Sequence, residues 1–386
     1  MIENAETDYR AYFSLFLKNL PEGIKDYRAH SHHYWPDCTR QAQIKYWDLA
    51  AQYKDDKWEY FFEEFIPSLQ KKLLPFFGLS PEYASQVIFG SNTFELIFKL
   101  LSTFSWNSSR PLRILTTQGE FYSFQTLIES LSSHFPHFFN IKKVKNFQEF
   151  QEEVQAFSPD FCLISHVFFK TGYALSSKDL DLLHQMAIKF SSTLFVIDVY
   201  HSFLALDFSW DWYKETLAFC GGSYKYVGGG EGAAFLFLPK KWEEKTPFYR
   251  GWISDFFSSP SSLTTPPLWT KYLGATEDLT PFFRLESVLD WREQIGLTVA
   301  KGHYLVSLIQ EKFLQHYSER DFLELDINKG TLLLHSKEHR AHFFSFYFKE
   351  ESYANFYHAL WEKKGILTDR RKNYIRFGFS FYNDYF

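Results

Sequence analysis

Short apolar runs separated by turn and charge signals mark the middle of this chain. Val87-Ile88-Phe89, Leu112-Arg113-Ile114-Leu115-Thr116, Phe161-Cys162-Leu163-Ile164, Leu194-Phe195-Val196-Ile197 and Ala233–Leu238 read as strands buried on both faces. Segments 94–104 and 178–190 lie between such runs and show helical periodicity. Strand and helix in alternation predict a parallel sheet. From Arg40 to Leu74, charges alternate with Trp47, Ala50, Ala51, Trp58, Phe61, Phe62 and Phe65, the pattern of amphipathic helices packing a core and a dimer face. A helix is predicted over Tyr9–Leu20, closed by Pro21 and Gly23. After a Ser- and Pro-rich connection, Ser258–Ser262 and Pro266-Pro267, a helix over 281–295, a strand over 343–348 and a helix over 353–364 suggest a smaller C-terminal domain.

The chain has 386 residues, enough for a large core and two domains. Hydrophobic residues make up 45% and charged residues 23%, a globular balance. The 45 phenylalanines are read as core and interface filling. A net charge of −5 without a basic block predicts no nucleic-acid partner. No apolar run reaches spanning length, and Met1–Glu6 lacks the features of a leader, so no membrane association and a cytoplasmic location are expected. Cys38, Cys162 and Cys220 are widely spaced and suggest neither a zinc site nor a disulfide framework. His30, His32 and His33 fit no helical face and have no nearby carboxylate cluster, so no metal is expected there. That loop is read as facing substrate or solvent.

Candidate chemistry gathers at Gly221–Gly232, where Lys225 sits among aromatics and glycines. Glycines let backbone approach a neighbouring group closely. A lysine amine is a usable nucleophile when burial and neighbouring cations lower its pKa. Upstream, Asp198 ends the run Leu194–Ile197, where the carboxyl end of a strand opens into the ligand crevice of an α/β sheet. Each feature alone has a plainer reading: a glycine-rich turn with an incidental lysine, or an aspartate capping a turn. Together they supply what pyridoxal phosphate requires, an amine for the Schiff base and an acid for the pyridine nitrogen. Gly90-Ser91-Asn92-Thr93 opens a helix, a place suited to N-capping, to an anion, or to both.

Asp198-Val199-Tyr200-His201 and Ser223-Tyr224-Lys225-Tyr226 resemble kynureninase and the wider class V aminotransferase family of fold-type I pyridoxal-phosphate enzymes. The resemblance runs in order from Gly90 to Asn383. It implies an α/β fold with a mainly parallel seven-stranded sheet between helices, plus a smaller α+β domain. The large cofactor domain would span 40–280, with 1–39 and 281–386 forming the small one. Lys225 would carry the cofactor, Asp198 keep its ring nitrogen protonated, and His201 hold the ring or Asp198 in place. Asn92, Thr93, Ser223 and Tyr226 would bind the phosphate, Phe121 stack on the ring, and the loop ending Thr171-Gly172 lie beside it. Gly251-Trp252 matches a kynureninase element, and Gly274-Ala275-Thr276 a segment of enzymes such as isopenicillin N epimerase. Trp252 and Thr276 would then reach the phosphate of a partner subunit, giving a homodimer with shared active sites. Arg376 would clamp the α-carboxylate of an amino-acid substrate, and His32 would face that substrate.

The reaction expected from this resemblance is kynureninase-like hydrolytic cleavage of a β-side-chain bond, with Tyr226 as proton donor. A class V transaminase or epimerase uses the same groups. A desulfurase needs a cysteine on a C-terminal loop, and none follows Cys220. A binding protein without catalysis is the alternative of a different class.

Overall fold

The computed structural model describes residues 8–257, 267–318 and 330–383; the connection expected over Ser258–Ser262 lies outside them. Seven strands form the central sheet: β1 (Val87–Gly90), β2 (Leu112–Thr117), β3 (Phe139–Val144), β4 (Phe161–Ser165), β5 (Leu194–Asp198), β6 (Leu217–Gly222) and β7 (Ala234–Phe237). Their spatial order is β1-β7-β6-β5-β4-β2-β3. Strands β6, β5, β4, β2 and β3 pair in parallel, while β7 runs against both of its neighbours. The sheet is therefore mixed and mainly parallel, as the strand–helix alternation predicts. Every residue of β4, β5, β6 and β7 is buried, which explains runs without polar alternation.

Helices cover the sheet between strands. They include α1 (Cys38–Tyr53), α2 (Thr93–Leu101), α3 (Tyr122–His134), α4 (Phe147–Phe157), α5 (Ser177–Lys189), α6 (Thr280–Gln294), α7 (Val299–Ser318) and α8 (Glu351–Lys363). Helix α5 starts with a full capping box, in which Ser176 and Asp179 each satisfy the other's backbone N–H. The second sheet has the order β10-β11-β9-β8, made from β8 (Gly330–Leu333), β9 (Phe343–Phe348), β10 (Asp369–Arg371) and β11 (Tyr374–Gly378).

Among the described residues, buried apolar side chains fall into one large cluster around the main sheet, a smaller one around the second sheet, and a third of Val167, Ala174, Ala341 and Phe343. Trp361, Phe346, Phe377 and Phe313 centre the smaller cluster. Helix α6 contributes Phe282, Phe283, Leu285 and Leu289 to the large cluster, as do Tyr9 and Phe13 near the start of the chain. The helix expected over Tyr9–Leu20 is a 3-10 turn, Tyr9–Phe13, followed by one α-turn, Ser14–Leu17. Asp37 accounts for the break: it accepts from the Ser14 and Leu15 backbone N–H groups at 3.1 and 3.0 Å, replacing helical partners. No helix among the described residues is long and apolar enough to cross a membrane.

Candidate functional site

The parallel strands deliver their polar residues to one edge. At the end of β5, Asp198 pairs in register with Ser165 of β4 and with Cys220 of β6. Its Oδ1 accepts from the Tyr200 N–H at 2.7 Å, which fixes the carboxylate as the chain turns off the strand. Just past β6, Ser223–Val227 forms a turn locked by the Gly228 N–H donating to the Lys225 carbonyl (2.8 Å) and Gly229 N–H to that of Ser223 (2.8 Å). Asp198 and Lys225 thereby face one cavity of about 230 Å³, shared with Asn92, Thr93, Phe121 and His201. Six of the residues named from the sequence thus meet around one space.

Burial sets the electrostatics. The Lys225 amine is lowered to about 7, chiefly by desolvation; the Arg376 and Arg371 charges push the same way, while Asp198 opposes. Burial raises the Asp198 carboxyl, with Lys225 opposing the rise. The Lys225 Nζ lies 4.7 Å from the centroid of the Tyr200 ring and 5.6 Å from that of Tyr224, where π-faces stabilise a cation. Behind Asp198, buried Glu120 accepts from Ser165 Oγ at 2.5 Å and Thr117 Oγ1 at 2.7 Å. Burial, with the Asp198 charge adding, raises Glu120 to about 7. His201 is buried and its Nδ1 has no hydrogen-bond partner among the described residues. Desolvation, together with Lys225 and Arg376, holds its imidazole uncharged at neutral pH. At the same cavity, Asn92 caps α2 by accepting from the Glu95 N–H at 2.8 Å. Thr93 opens that helix at the cavity, giving a terminus suited to an anion.

The other expected residues sit elsewhere. Ser223 is buried and donates to the Gly230 carbonyl, away from the cavity lining. Tyr226 is buried with an unpartnered hydroxyl, its ring edge-on to His342 at 5.3 Å. Thr171 accepts from the Tyr173 N–H at 3.3 Å in a loop outside the lining. Trp252 and Thr276 are exposed on adjoining segments, joined where the Gly251 N–H donates to the Leu273 carbonyl at 3.2 Å.

The histidine loop divides its members. His32 is exposed and stacks on Tyr224 at 5.6 Å, whereas His33 is buried with Nε2 2.8 Å from Ser380 Oγ. His30 is wholly buried against Phe343, at 4.7 Å between ring centroids, and near His201. The glycine run after Lys225 serves this same loop. Gly230 has φ +72, and a Cβ there would lie 2.4 Å from the Trp35 ring. The run thus admits the N-terminal segment close to the lysine turn, rather than lining the cavity itself.

Arg376 departs most from expectation. It is 2% exposed. Its Nε donates to Asp369 Oδ2 at 2.7 Å, Nη2 donates to the same oxygen, and Nη1 donates to the Phe169 carbonyl. The edge expected to meet a substrate carboxylate already holds Asp369. Asp369, Arg371, Tyr200 and Glu120 were not found from the sequence; the first two lie on a hairpin whose pairing places them here, which no local motif announces.

No family model matches the chain, and no curated protein matches it in sequence. Solved structures do resemble it. A mutant of C-DES with glycine covalently linked to the PLP cofactor aligns with TM-score 0.79 and 14% identity, over 97% of this chain and 96% of that one. A cysteine desulfurase from Thermococcus onnurineus NA1, in its apo form, aligns with TM-score 0.73 and 14% identity over 99% and 95%. A NifS-like protein aligns with TM-score 0.68 and 15% identity over 94% and 95%. The chain has the fold that these proteins share, the fold-type I α/β architecture built on a mainly parallel seven-stranded sheet.

Proposed function

We propose that the chain is a pyridoxal-phosphate-dependent enzyme acting on an amino acid. The observation that carries this reading is the one cavity faced by Asp198 and by a Lys225 amine lowered to about 7, with Asn92 and Thr93 of the α2 terminus also lining it. The residues fit the cofactor. Lys225 would hold it covalently, Asp198 would pair with its ring nitrogen, Asn92 and Thr93 would take its phosphate, and Phe121 and His201 would flank its ring. The unpartnered Nδ1 of buried His201 is consistent with a ligand polar group at this place. Bound there, the cofactor supplies an electron sink for the pair left when a bond at the substrate α-carbon breaks.

The chain's own groups do the rest. Near neutrality a substantial share of Lys225 is uncharged, so Nζ can attack a carbonyl carbon and later accept the α-proton. Asp198, fixed by the Tyr200 N–H, presents its carboxyl to the cavity. Ser223, through the Gly230 carbonyl, helps fix the lysine turn, while Thr171 accepts from the Tyr173 N–H within its own loop. Exposed Trp252 and Thr276, with exposed Phe248 and Tyr249 close by in sequence, support a homodimer with shared sites, which sedimentation would test.

For the fate of the substrate, the finer reading is kynureninase-like hydrolysis of a β-side-chain bond. A second reading, elimination from a sulfur amino acid, is favoured by likeness to the cystine C–S lyase C-DES, captured with its product cysteine persulfide. Transfer of sulfur to a protein thiol is disfavoured. Cys162 and Cys220 are buried in strands, and burial raises the Cys38 thiol to about 11. Protein loaded with pyridoxal phosphate is titrated with L-kynurenine and, separately, with L-cystine, following cofactor absorbance. Anthranilate fluorescence supports hydrolysis and persulfide release supports elimination. A Lys225→Ala protein that still traps cofactor on borohydride reduction would sink the assignment.

A further inference from the structure

We infer that the Arg292 guanidinium and the Tyr9 hydroxyl form a buried site for a small monovalent anion of the chloride class, where the N-terminal turn meets helices α6 and α7. The site is separate from the Lys225 cavity and does not depend on the cofactor. Two other buried arginines show what such a group requires. Arg376 is paired with Asp369, and Arg284 donates from Nε to the Gly229 carbonyl at 2.9 Å and from Nη2 to that of Glu231. Arg292, near the end of α6, is 1% exposed, yet its Nε and Nη2 have no hydrogen-bond partner among the described residues. The hydroxyl of Tyr9, a residue 6% exposed, is likewise buried without a partner among them.

The two groups share one place. Both pack on Phe381: the Arg292 Cζ lies 5.9 Å from that ring's centroid, and the Tyr9 ring lies 5.6 Å from it. Gly302 of α7 keeps the guanidinium edge clear, since a Cβ there would lie 3.2 Å from Arg292 Nη2. Burial lowers the Arg292 guanidinium to about 10, so it remains charged at neutral pH. Tyr9 is the one side chain that opposes this shift, and no carboxylate among the described residues contributes. The surroundings are basic instead. The Arg292 charge helps to hold His33 and His342 uncharged, and Lys301 Nζ lies 5.7 Å from the Tyr9 ring centroid. A buried guanidinium without a counter-charge is strongly unfavourable, and a water molecule satisfies a donor without neutralising it. A small anion does both, accepting from several donors at once in a positive local field. The depth of burial limits the ligand to a small ion. It would tie the N-terminal turn to α6 and α7.

The test exchanges the purified chain into sodium gluconate, whose anion is too large for a buried site. The melting temperature is then followed as gluconate is replaced by chloride or bromide at constant ionic strength. Wild type should show a saturable rise, as expected when a ligand binds only the folded state. Arg292→Gln keeps most of the side-chain volume without the charge and should weaken the response at least about tenfold, the worth of one charge-assisted hydrogen bond. Tyr9→Phe removes only the hydroxyl and should raise the half-saturating concentration roughly threefold, which keeps the test open if Arg292→Gln does not fold. Crystals grown in bromide should place an anomalous scatterer within hydrogen-bond reach of Arg292 Nη2 and Tyr9 Oη. The inference is overturned if chloride, bromide and gluconate act alike, or if either folded variant keeps the wild-type response. It is equally overturned if bromide is absent from this place in the crystal.

Discussion

At the scale of single residues, the lysine and the aspartate were legible because backbone geometry alone positions them. A residue at the carboxyl end of a buried parallel strand faces the ligand edge whatever the rest of the chain does. The lowered Lys225 amine has a measurable consequence. Its ordinary value is 10.5 and its value here is about 7, so the uncharged fraction grows as pH rises through 7. Cofactor attachment, followed by borohydride trapping at short times, should reach half its limiting rate near pH 7; a midpoint near 10 would contradict this. Gly222 gives a second expectation. A Cβ at this position would lie 2.3 Å from the Tyr200 hydroxyl and 2.6 Å from its Cζ. Gly222→Ala must therefore push the ring off its place beside Lys225. The expected loss of stability is about 1–3 kcal/mol, as for overpacking elsewhere, measurable by urea denaturation. The partner of Arg376 was not legible for a reason of the same scale. The motif Ile375–Asn383 shows a guanidinium but not its neighbour, because Asp369 reaches it through antiparallel pairing of β10 with β11.

Among the elements, four apolar strands of the main sheet were read closely, whereas others were missed, including the fully buried β6, Leu217–Gly222, whose run ends in the glycines ahead of Lys225. Strands β1, β2, β4 and β5 appear where their apolar runs lie. Strand β3, Phe-Asn-Ile-Lys-Lys-Val, was not found: it is an edge strand with only its terminal residues buried, and half of its residues are polar. Helix α4 was also missed, although Phe147, Phe150, Val154 and Phe157 recur at helical spacing and Phe150 and Val154 are buried. Helix α2 was found, and its cap can be tested. Asn92→Ala removes the side-chain acceptor for the Glu95 N–H and should lower stability by about 1 kcal/mol. If Asn92 also contributes to the anion site, the same variant weakens cofactor affinity, and Asn92→Ser restores stability more fully than affinity. Equal recovery of both would limit Asn92 to capping.

For the whole molecule, buried uncharged histidines should make the fold acid-labile. Desolvation lowers His30 and His33 to about 3 and His166 to about 4, from an ordinary value of 6.5. The unfolded chain takes up these protons near pH 6.5, the folded chain only well below, so the folded state binds fewer protons in between. Their stabilising contribution is full above about pH 6.5 and is lost as pH falls toward 3. Each histidine should contribute a slope of up to about 1.4 kcal/mol per pH unit across that window. Denaturant midpoints at pH 7, 6, 5 and 4 check this; a flat profile down to pH 4.5 would count against it. The sequence by itself determined the sheet-forming middle of the chain, the helix terminus at Asn92–Thr93 and the Asp198–Lys225 pair, since each follows from local periodicity or from position along a strand. Tertiary structure alone decided that the glycine run admits Trp35, that His30 and His33 turn inward while His32 stays out, and that Asp369 occupies Arg376. Those outcomes depend on segments far apart in sequence packing together, and which partner a buried charge or ring meets is set only by that packing.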